Sequence, residues 1–67
     1  MPGHERRTVG LYGETYAVVF SMVPGGILVS NIKRVEPIVE AVSPTSRIGK
    51  RLENELVAIL KREAQKP

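Results

Sequence analysis

The first half of the chain alternates bulky apolar residues with smaller or polar ones, which is the period-two pattern of β-strands. Residues 8–12 form a short β-prone run, and residues 15–23 form a longer one rich in β-branched and aromatic residues. A break at residues 13–14 separates the two runs. The bulky side chains of the longer run share one face, which we expect to lie against the core: Tyr16, Val18, Phe20 and Met22.

A turn interrupts the β-pattern at residues 23–26. Pro24 stands at the second position of this turn and Gly25 at the third. Proline fixes φ and glycine accepts a positive φ, so this pair predicts a type II turn. The run at residues 27–32 then returns as a strand, and residues 15–32 together predict a β-hairpin.

The segment at residues 33–42 fits two structures. Its valines have the spacing of a helical stripe, but Pro37 argues against a helix that runs through from residue 32. A strand can continue to residue 36, or an edge strand can accommodate the proline. Alternatively, a short helix can start at Pro37. We favour extended structure and keep the short helix as the alternative.

The last third of the chain changes to the helical period of 3.6 residues. The apolar positions fall within an arc of roughly 120° on a helical wheel, and they are Ile48, Leu52, Leu56, Ile59 and Leu60. Ser43, followed by Pro44, and Ser46 are both candidate N-caps. We expect a helix over residues 44–64, weakened by about 1 kcal/mol by Gly49 near its start.

These patterns predict one α+β domain over residues 1–67. A small antiparallel sheet, either a hairpin or a three-stranded meander, is expected over residues 8–36. The amphipathic helix at residues 44–64 is expected to pack over one face of it. Residues 1–7 are polar and are expected to form a flexible N-terminal tail. A small β-barrel-like meander with a C-terminal helix is the close structural variant.

Positive charge dominates the face of the helix opposite the apolar stripe, and Glu55 lies at the border of this face, where it can pair with Arg51. Eleven residues make about three turns, so the two Lys-Arg pairs of this segment lie nearly in line. We call this set of side chains the basic ridge: Arg47, Lys50, Arg51, Lys61 and Arg62. A solvated charged face is the simpler interpretation, and Lys61 and Arg62 also suit the negative end of the helix dipole. The segregation of charge favours contact with phosphates or with an acidic protein surface.

Two further basic pairs flank the predicted sheet, one at residues 6–7 and one at Lys33 and Arg34. We expect Lys33 and Arg34 to assist the basic ridge in binding. Charged residues at strand ends also discourage edge-to-edge aggregation, which is the purely structural explanation. Tyr16 and Phe20 share a strand face and are expected in the core, and the aromatic pattern of an RNA-recognition sheet is absent.

The composition limits the chemistry that the chain can perform. Its 67 residues include no cysteine, no aspartate and one histidine, His4. Disulfides and cysteine-type zinc sites are therefore excluded, and Mg²⁺ or Ca²⁺ sites become less expected. No nucleophile–base pair is visible, since the histidine lies in the expected tail. The sequence predicts no catalytic residue, no metal and no cofactor, and hence a protein that is not an enzyme.

Cellular location and oligomeric state follow from size and hydropathy. The longest nearly apolar run, residues 17–23, is shorter than the about 20 residues that a membrane-spanning helix needs. No signal peptide is recognisable, so we expect a soluble cytoplasmic protein without a membrane partner. A short chain without disulfide or metal gains buried surface from a second copy, which favours a homodimer.

Together these observations lead to one functional hypothesis and one alternative. The net charge of +3 is compatible with nucleic acid or an acidic protein as partner. The hypothesis is a small, non-enzymatic, homodimeric protein that binds nucleic acid or has a regulatory role, and that contacts the phosphate backbone through the basic ridge. The alternative is a protein-interaction module or oligomerising adaptor with no role on nucleic acid.

Overall fold

A computed structural model of the chain describes residues 3–65 as a four-stranded antiparallel sheet with one helix packed against it. The strands follow one another in space as they do in sequence, in the order β1-β2-β3-β4. The elements are β1 (Glu5–Leu11), β2 (Glu14–Val23), β3 (Gly26–Glu36), β4 (Glu40–Val42) and α1 (Arg47–Ala64). The predicted α+β fold is confirmed, and the sheet is a complete meander.

The first hairpin closes through a two-residue turn at Tyr12 and Gly13. Both residues have positive φ, 54° and 75°, as a type I′ turn requires. The turn therefore lies one residue earlier than the break predicted from the sequence. Strand β1 also begins at Glu5, so the sheet includes three residues that the sequence assigned to the tail. Strand β1 extends this far because β2 is long enough to pair with it along its whole length, from Leu11 with Glu14 to Glu5 with Phe20.

The second hairpin closes through Pro24 and Gly25, and the φ of 86° at Gly25 is the value that a type II turn needs. Pairing between β2 and β3 is interrupted by a bulge at Ser30: Val19 pairs with Asn31, whereas Phe20 pairs with Val29. The bulge changes the phase of the side chains along β3.

Residues 33–42 are extended, as favoured, but in two pieces. Strand β3 continues to Glu36, and β4 pairs with it through Ile32–Val42, Lys33–Ala41 and Arg34–Glu40. The sequence predicted at most three strands over residues 8–36, so β4 was missed. The chain leaves the sheet at Pro37, and the strand that follows has only three residues, which is too short to show a period of two.

The core lies between one face of the sheet and the apolar stripe of α1. Its buried side chains are Val9, Leu11, Tyr16, Val18, Phe20, Ile32, Leu52 and Leu56. Ile48, Ile59 and Leu60 are partly buried against this cluster, which confirms the orientation expected of the helix. The expectation of a buried Met22 is wrong: its side chain is 53% exposed because it lies near the tip of the second hairpin, at the rim of the core.

Helix α1 starts at Arg47, three residues later than expected, because Ser46 and not Ser43 is its N-cap. The Gly49 amide donates to Ser46 Oγ at 3.1 Å, and Ser46 Oγ donates to the Ser43 carbonyl at 2.6 Å. Gly49 is buried, and a Cβ at this position would lie 2.3 Å from the Ser43 carbonyl oxygen and 2.8 Å from the Pro44 backbone. The absence of a side chain at Gly49 is what lets the chain pass so close before the helix.

Candidate nucleic-acid interface

The basic ridge is exposed along α1. All five side chains lie on the solvent side of the helix, away from Leu52 and Leu56. Arg51 approaches Glu55 at 3.9 Å, one turn along the helix. Over residues 3–65, none of the other four ridge side chains is in an ion pair. An exposed pair of this kind contributes little, about 0.3–0.5 kcal/mol, so Arg51 also remains available to a ligand.

The two ends of the basic ridge differ in their relation to the helix dipole. Lys61 and Arg62 lie in the last turn, where cations are stabilising. The first turn contains no acidic residue, and Arg47 begins the helix with Lys50 and Arg51 close behind. A cation in the first turn is unfavourable by about 0.3–1 kcal/mol, and the effect weakens beyond that turn, so it applies mainly to Arg47 and less to Lys50 and Arg51. Helix stability therefore explains the C-terminal cations, and the pair with Glu55 explains part of the placement of Arg51, but neither explains Arg47 or Lys50.

A surface pocket of about 350 Å³ lies between the first hairpin turn and the start of α1. We call it the Tyr12 pocket, and its lining is Tyr12, Arg47, Ile48, Lys50, Arg51 and Asn54. Three ridge cations thus share a concave site with an aromatic ring. The spacing of the cations is visible in the sequence, but the place of Tyr12 beside them is not, because the approach of the turn to the helix depends on tertiary packing.

Tyr12 combines high exposure with an uncommon backbone conformation. Its side chain is 70% exposed, and its φ of 54° lies in the left-handed region. Asparagine and glycine are the residues that favour this position of a type I′ turn. The only available sequence signal was the Tyr-Gly dipeptide between two alternating runs, which is weak because tyrosine seldom occupies such turns.

The structure does not bring Lys33 or Arg34 to the basic ridge. Lys33 pairs with Ala17 and lies on the face of the sheet opposite the helix. There it lines a separate small pocket with Arg6 and Asn31. The bulge at Ser30 produces this arrangement, because it turns Ile32 into the core and leaves Asn31 and Lys33 outside.

Arg34 is held in a cluster of polar side chains at the edge of the core. Its Nη1 donates to Glu14 Oε2 at 3.1 Å, its Nη2 donates to Glu40, and its Nε donates to the Ile38 carbonyl at 3.3 Å. Burial lowers the pKa of Arg34, but the charges of Glu14 and Glu40 raise it overall. With its guanidinium engaged in this way, Arg34 ties β2, β3 and β4 together.

The carboxylate of Glu14 is shared between this cluster and Tyr16. The Tyr16 hydroxyl donates to Glu14 Oε1 at 2.7 Å. This hydrogen bond, supported by the charge of Arg34, holds the pKa of Glu14 below its usual value against the opposing effect of burial. The same hydrogen bond, followed by burial, raises the pKa of Tyr16. These shifts belong to a structural cluster, since Tyr16 is buried in the core.

Arg7 and Glu63 form a second link between the sheet and the helix. Arg7 Nη1 donates to Glu63 Oε1 at 2.9 Å, and Nη2 donates to Oε2, so the pair is bidentate. The hydrogen bond and the charge of Glu63 raise the pKa of Arg7. This pair ties the last turns of α1 to β1.

An apolar groove lies at the opposite end of the molecule from the Tyr12 pocket. We call it the hairpin groove, because the tip of the β2–β3 hairpin forms one wall and the C-terminal half of α1 the other. Its volume is about 310 Å³, its apolar lining includes Met22, Val23, Ile27, Val57, Leu60 and Ala64, and Lys61 of the basic ridge also lines it.

Within residues 3–65, no helix combines the length and hydropathy needed to cross a bilayer. The chain matches no protein-family model, no curated protein and no solved structure.

Proposed function

We propose that the chain is a small, non-enzymatic nucleic-acid-binding or regulatory protein of the cytoplasm. It contacts the phosphate backbone through the basic ridge, which consists of Arg47, Lys50, Arg51, Lys61 and Arg62. Each cation that neutralises a phosphate releases a condensed counterion, so binding weakens as salt rises. No catalytic group, metal or cofactor takes part in this function.

The observation that carries the proposal is the position of Arg47, Lys50 and Arg51. These cations follow an N-cap at which no acidic residue offsets the positive end of the helix dipole. Their charges add to the dipole, so this end of α1 attracts anions more strongly than either contribution alone. A local arrangement that works against helix stability is typical of functional surfaces.

The length of the basic ridge suits a polyanion better than a single small anion. Lys50 and Lys61 are three helical turns apart, which corresponds to about 16 Å along the helix axis. Successive phosphates along one strand of a duplex are about 3.4 Å apart in axial rise. One strand can therefore present several phosphates to the two ends of the ridge together.

The test is binding to duplex DNA and to RNA over a series of salt concentrations. The double variant Lys50→Glu/Lys61→Glu reverses charge at both ends of the ridge, and we expect it to abolish most of the binding. Arg6→Glu/Lys33→Glu is the matched control, since it reverses the same number of charges at two exposed residues that line one pocket on the opposite face of the sheet. Absence of binding at low salt, or an equal loss in the control, contradicts the proposal.

The hairpin groove supports a second candidate function, which is self-association. Met22 is 53% exposed at the rim of this groove, and contiguous exposed apolar surface marks interaction sites. The surface contains both projecting side chains and a hollow, as a two-fold contact between identical copies requires. We therefore propose a second copy of this chain as the occupant, which makes the protein a homodimer.

Sedimentation equilibrium tests the dimer independently of nucleic acid. We expect the mass of two chains for the wild type and of one chain for Met22→Lys. Leu28→Lys serves as the control, because Leu28 is exposed but faces away from the groove as the partner of Ser21. A monomeric wild type, or dissociation by the control alone, contradicts this candidate. An acidic protein partner would instead be detected as a stoichiometric complex that requires the basic ridge.

A further inference from the structure

The Tyr12 pocket brings together two kinds of group that recognise different parts of a nucleotide. The ring of Tyr12 is exposed, and an exposed ring can stack on a base. Arg47, Lys50 and Arg51 line the same pocket and can contact phosphate. The pocket volume of about 350 Å³ lies within the range of about 300–1,000 Å³ typical of small-ligand sites.

We propose that the Tyr12 pocket binds one unstacked base together with its adjacent phosphate, so that the ligand is single-stranded nucleic acid. This inference rests on the proposed function and narrows it. The faces of bases inside a duplex are covered by their neighbours, whereas a base of a single strand can stack on an aromatic side chain. An aromatic ring beside phosphate-binding cations thus adds affinity only for unpaired strands.

The continuity of the Tyr12 pocket with the basic ridge gives the strand a path. Lys50 and Arg51 belong to both, and Lys61 and Arg62 continue the positive surface along α1. A strand whose base is anchored on Tyr12 can therefore follow the helix with its phosphates. Every base has a face on which tyrosine can stack, so we expect little sequence preference.

The backbone of Tyr12 makes a clean experiment available. Asparagine is better suited than tyrosine to the first position of a type I′ turn, so Tyr12→Asn removes the ring and keeps the fold. Tyr12→Phe keeps a ring that can stack. We measure the binding of both variants to a dye-labelled 12-nucleotide oligo-dT and to a 12-base-pair duplex by fluorescence anisotropy at fixed salt. Thermal melts verify that each variant is folded.

The expected result is a selective loss of single-strand affinity. Tyr12→Asn should bind oligo-dT about 5-fold to 150-fold more weakly than the wild type, which corresponds to the contribution of one stacked base. Tyr12→Phe should bind oligo-dT as the wild type does, and duplex binding should be unchanged in both variants. Oligo-dT should also quench the tyrosine fluorescence of the wild type. In Tyr12→Phe the remaining tyrosine fluorescence comes from buried Tyr16, and oligo-dT should not quench it.

Three outcomes contradict the inference, and they are distinguishable from failure of the proposed function. If Tyr12→Asn binds oligo-dT like the wild type while Lys50→Glu/Lys61→Glu does not bind, the ridge binds phosphates and the pocket binds no base. If adenosine monophosphate binds as tightly as the oligonucleotide, the ligand is a free nucleotide. If Tyr12→Asn weakens duplex binding equally, the ring has no preference for single strands. If the wild type binds neither oligonucleotide at low salt, the proposed function itself fails.

Discussion

Replacing Gly49 with alanine sets two effects of known sign against each other. Alanine favours a helix over glycine by about 1 kcal/mol, so helix propensity alone predicts a more stable protein. In the structure, however, a Cβ at residue 49 would lie 2.3 Å from the Ser43 carbonyl oxygen and 2.8 Å from two Pro44 backbone atoms. These neighbours belong to the main chain, so they cannot move aside as a flexible side chain would.

The contact with the backbone is expected to outweigh the gain in propensity. Forcing an extra carbon into a packed site costs about 1–3 kcal/mol, and a contact as short as 2.3 Å belongs at the upper end of that range. The displacement of residue 49 would also weaken the N-cap, because the Gly49 amide donates the capping hydrogen bond to Ser46 Oγ. We therefore expect Gly49→Ala to lower the free energy of unfolding by about 1–2 kcal/mol.

Urea unfolding followed by circular dichroism measures this change. For a small domain the free energy falls by about 1 kcal/mol per molar urea, so the midpoint should decrease by about 1–2 M. Ala58→Gly is the control, because Ala58 is exposed in the same helix and reports propensity without a contact. A Gly49→Ala protein at least as stable as the wild type, alongside a destabilised Ala58→Gly, would refute the close approach of chain and helix.

Three other predictions concern stability and pH. Leu56→Ala removes a fully buried side chain and should lower the free energy of unfolding by about 2–5 kcal/mol in urea titrations, whereas an unchanged midpoint would place Leu56 outside the core. Ser46→Ala should cost about 1 kcal/mol by the same assay and Ser43→Ala less, because Ser46 is the N-cap; the reverse order contradicts the observed helix start. The pKa of Glu14 is lower in the folded state than in the unfolded state. Ionised Glu14 therefore stabilises the fold above the unfolded-state pKa of about 4.3, and this stabilisation is lost as the pH falls through the folded-state pKa. Glu14→Gln should accordingly unfold with a weaker dependence on acid than the wild type, and an identical acid profile contradicts that role.

The elements that the sequence predicts well are those with a sustained period. The stripe from Ile48 to Leu60 repeats over more than three turns, so both the helix and its buried face follow from the pattern. The second hairpin is equally well specified, because Pro24 and Gly25 mark its turn between two long β-prone runs. In both cases local preference and burial point to the same structure.

The elements that the sequence does not reveal depend on a single residue or on tertiary approach. The extra residue at Ser30 decides whether Ile32 or Lys33 faces the core. The only sign of it in the sequence is that Val29 and Ile32 are three residues apart, whereas strict alternation would place core-facing residues two or four apart. Gly49 shows only an unfavourable helix propensity until Ser43 and Pro44 are seen beside it.

The candidate site divides in the same way. The five cations of the basic ridge are on one side of α1 because of their spacing, which the sequence shows directly. Tyr12 joins them only because the first hairpin turn approaches the start of the helix. These two segments are about 35 residues apart in sequence. Arg34 and Lys33 are adjacent basic residues that the sequence does not distinguish, but in the fold the side chains of Glu14 and Glu40 bind Arg34.

The central claim, that the basic ridge contacts phosphates, is tested most directly by the dependence of oligonucleotide affinity on salt. Each phosphate contact adds about 0.7 to the slope of log K against log salt for a single strand. We predict that Lys50→Gln lowers the magnitude of this slope by about 0.7 and that Lys33→Gln leaves it unchanged. A slope that Lys50→Gln does not alter, or one that only Lys33→Gln reduces, would show that phosphates bind elsewhere or not at all.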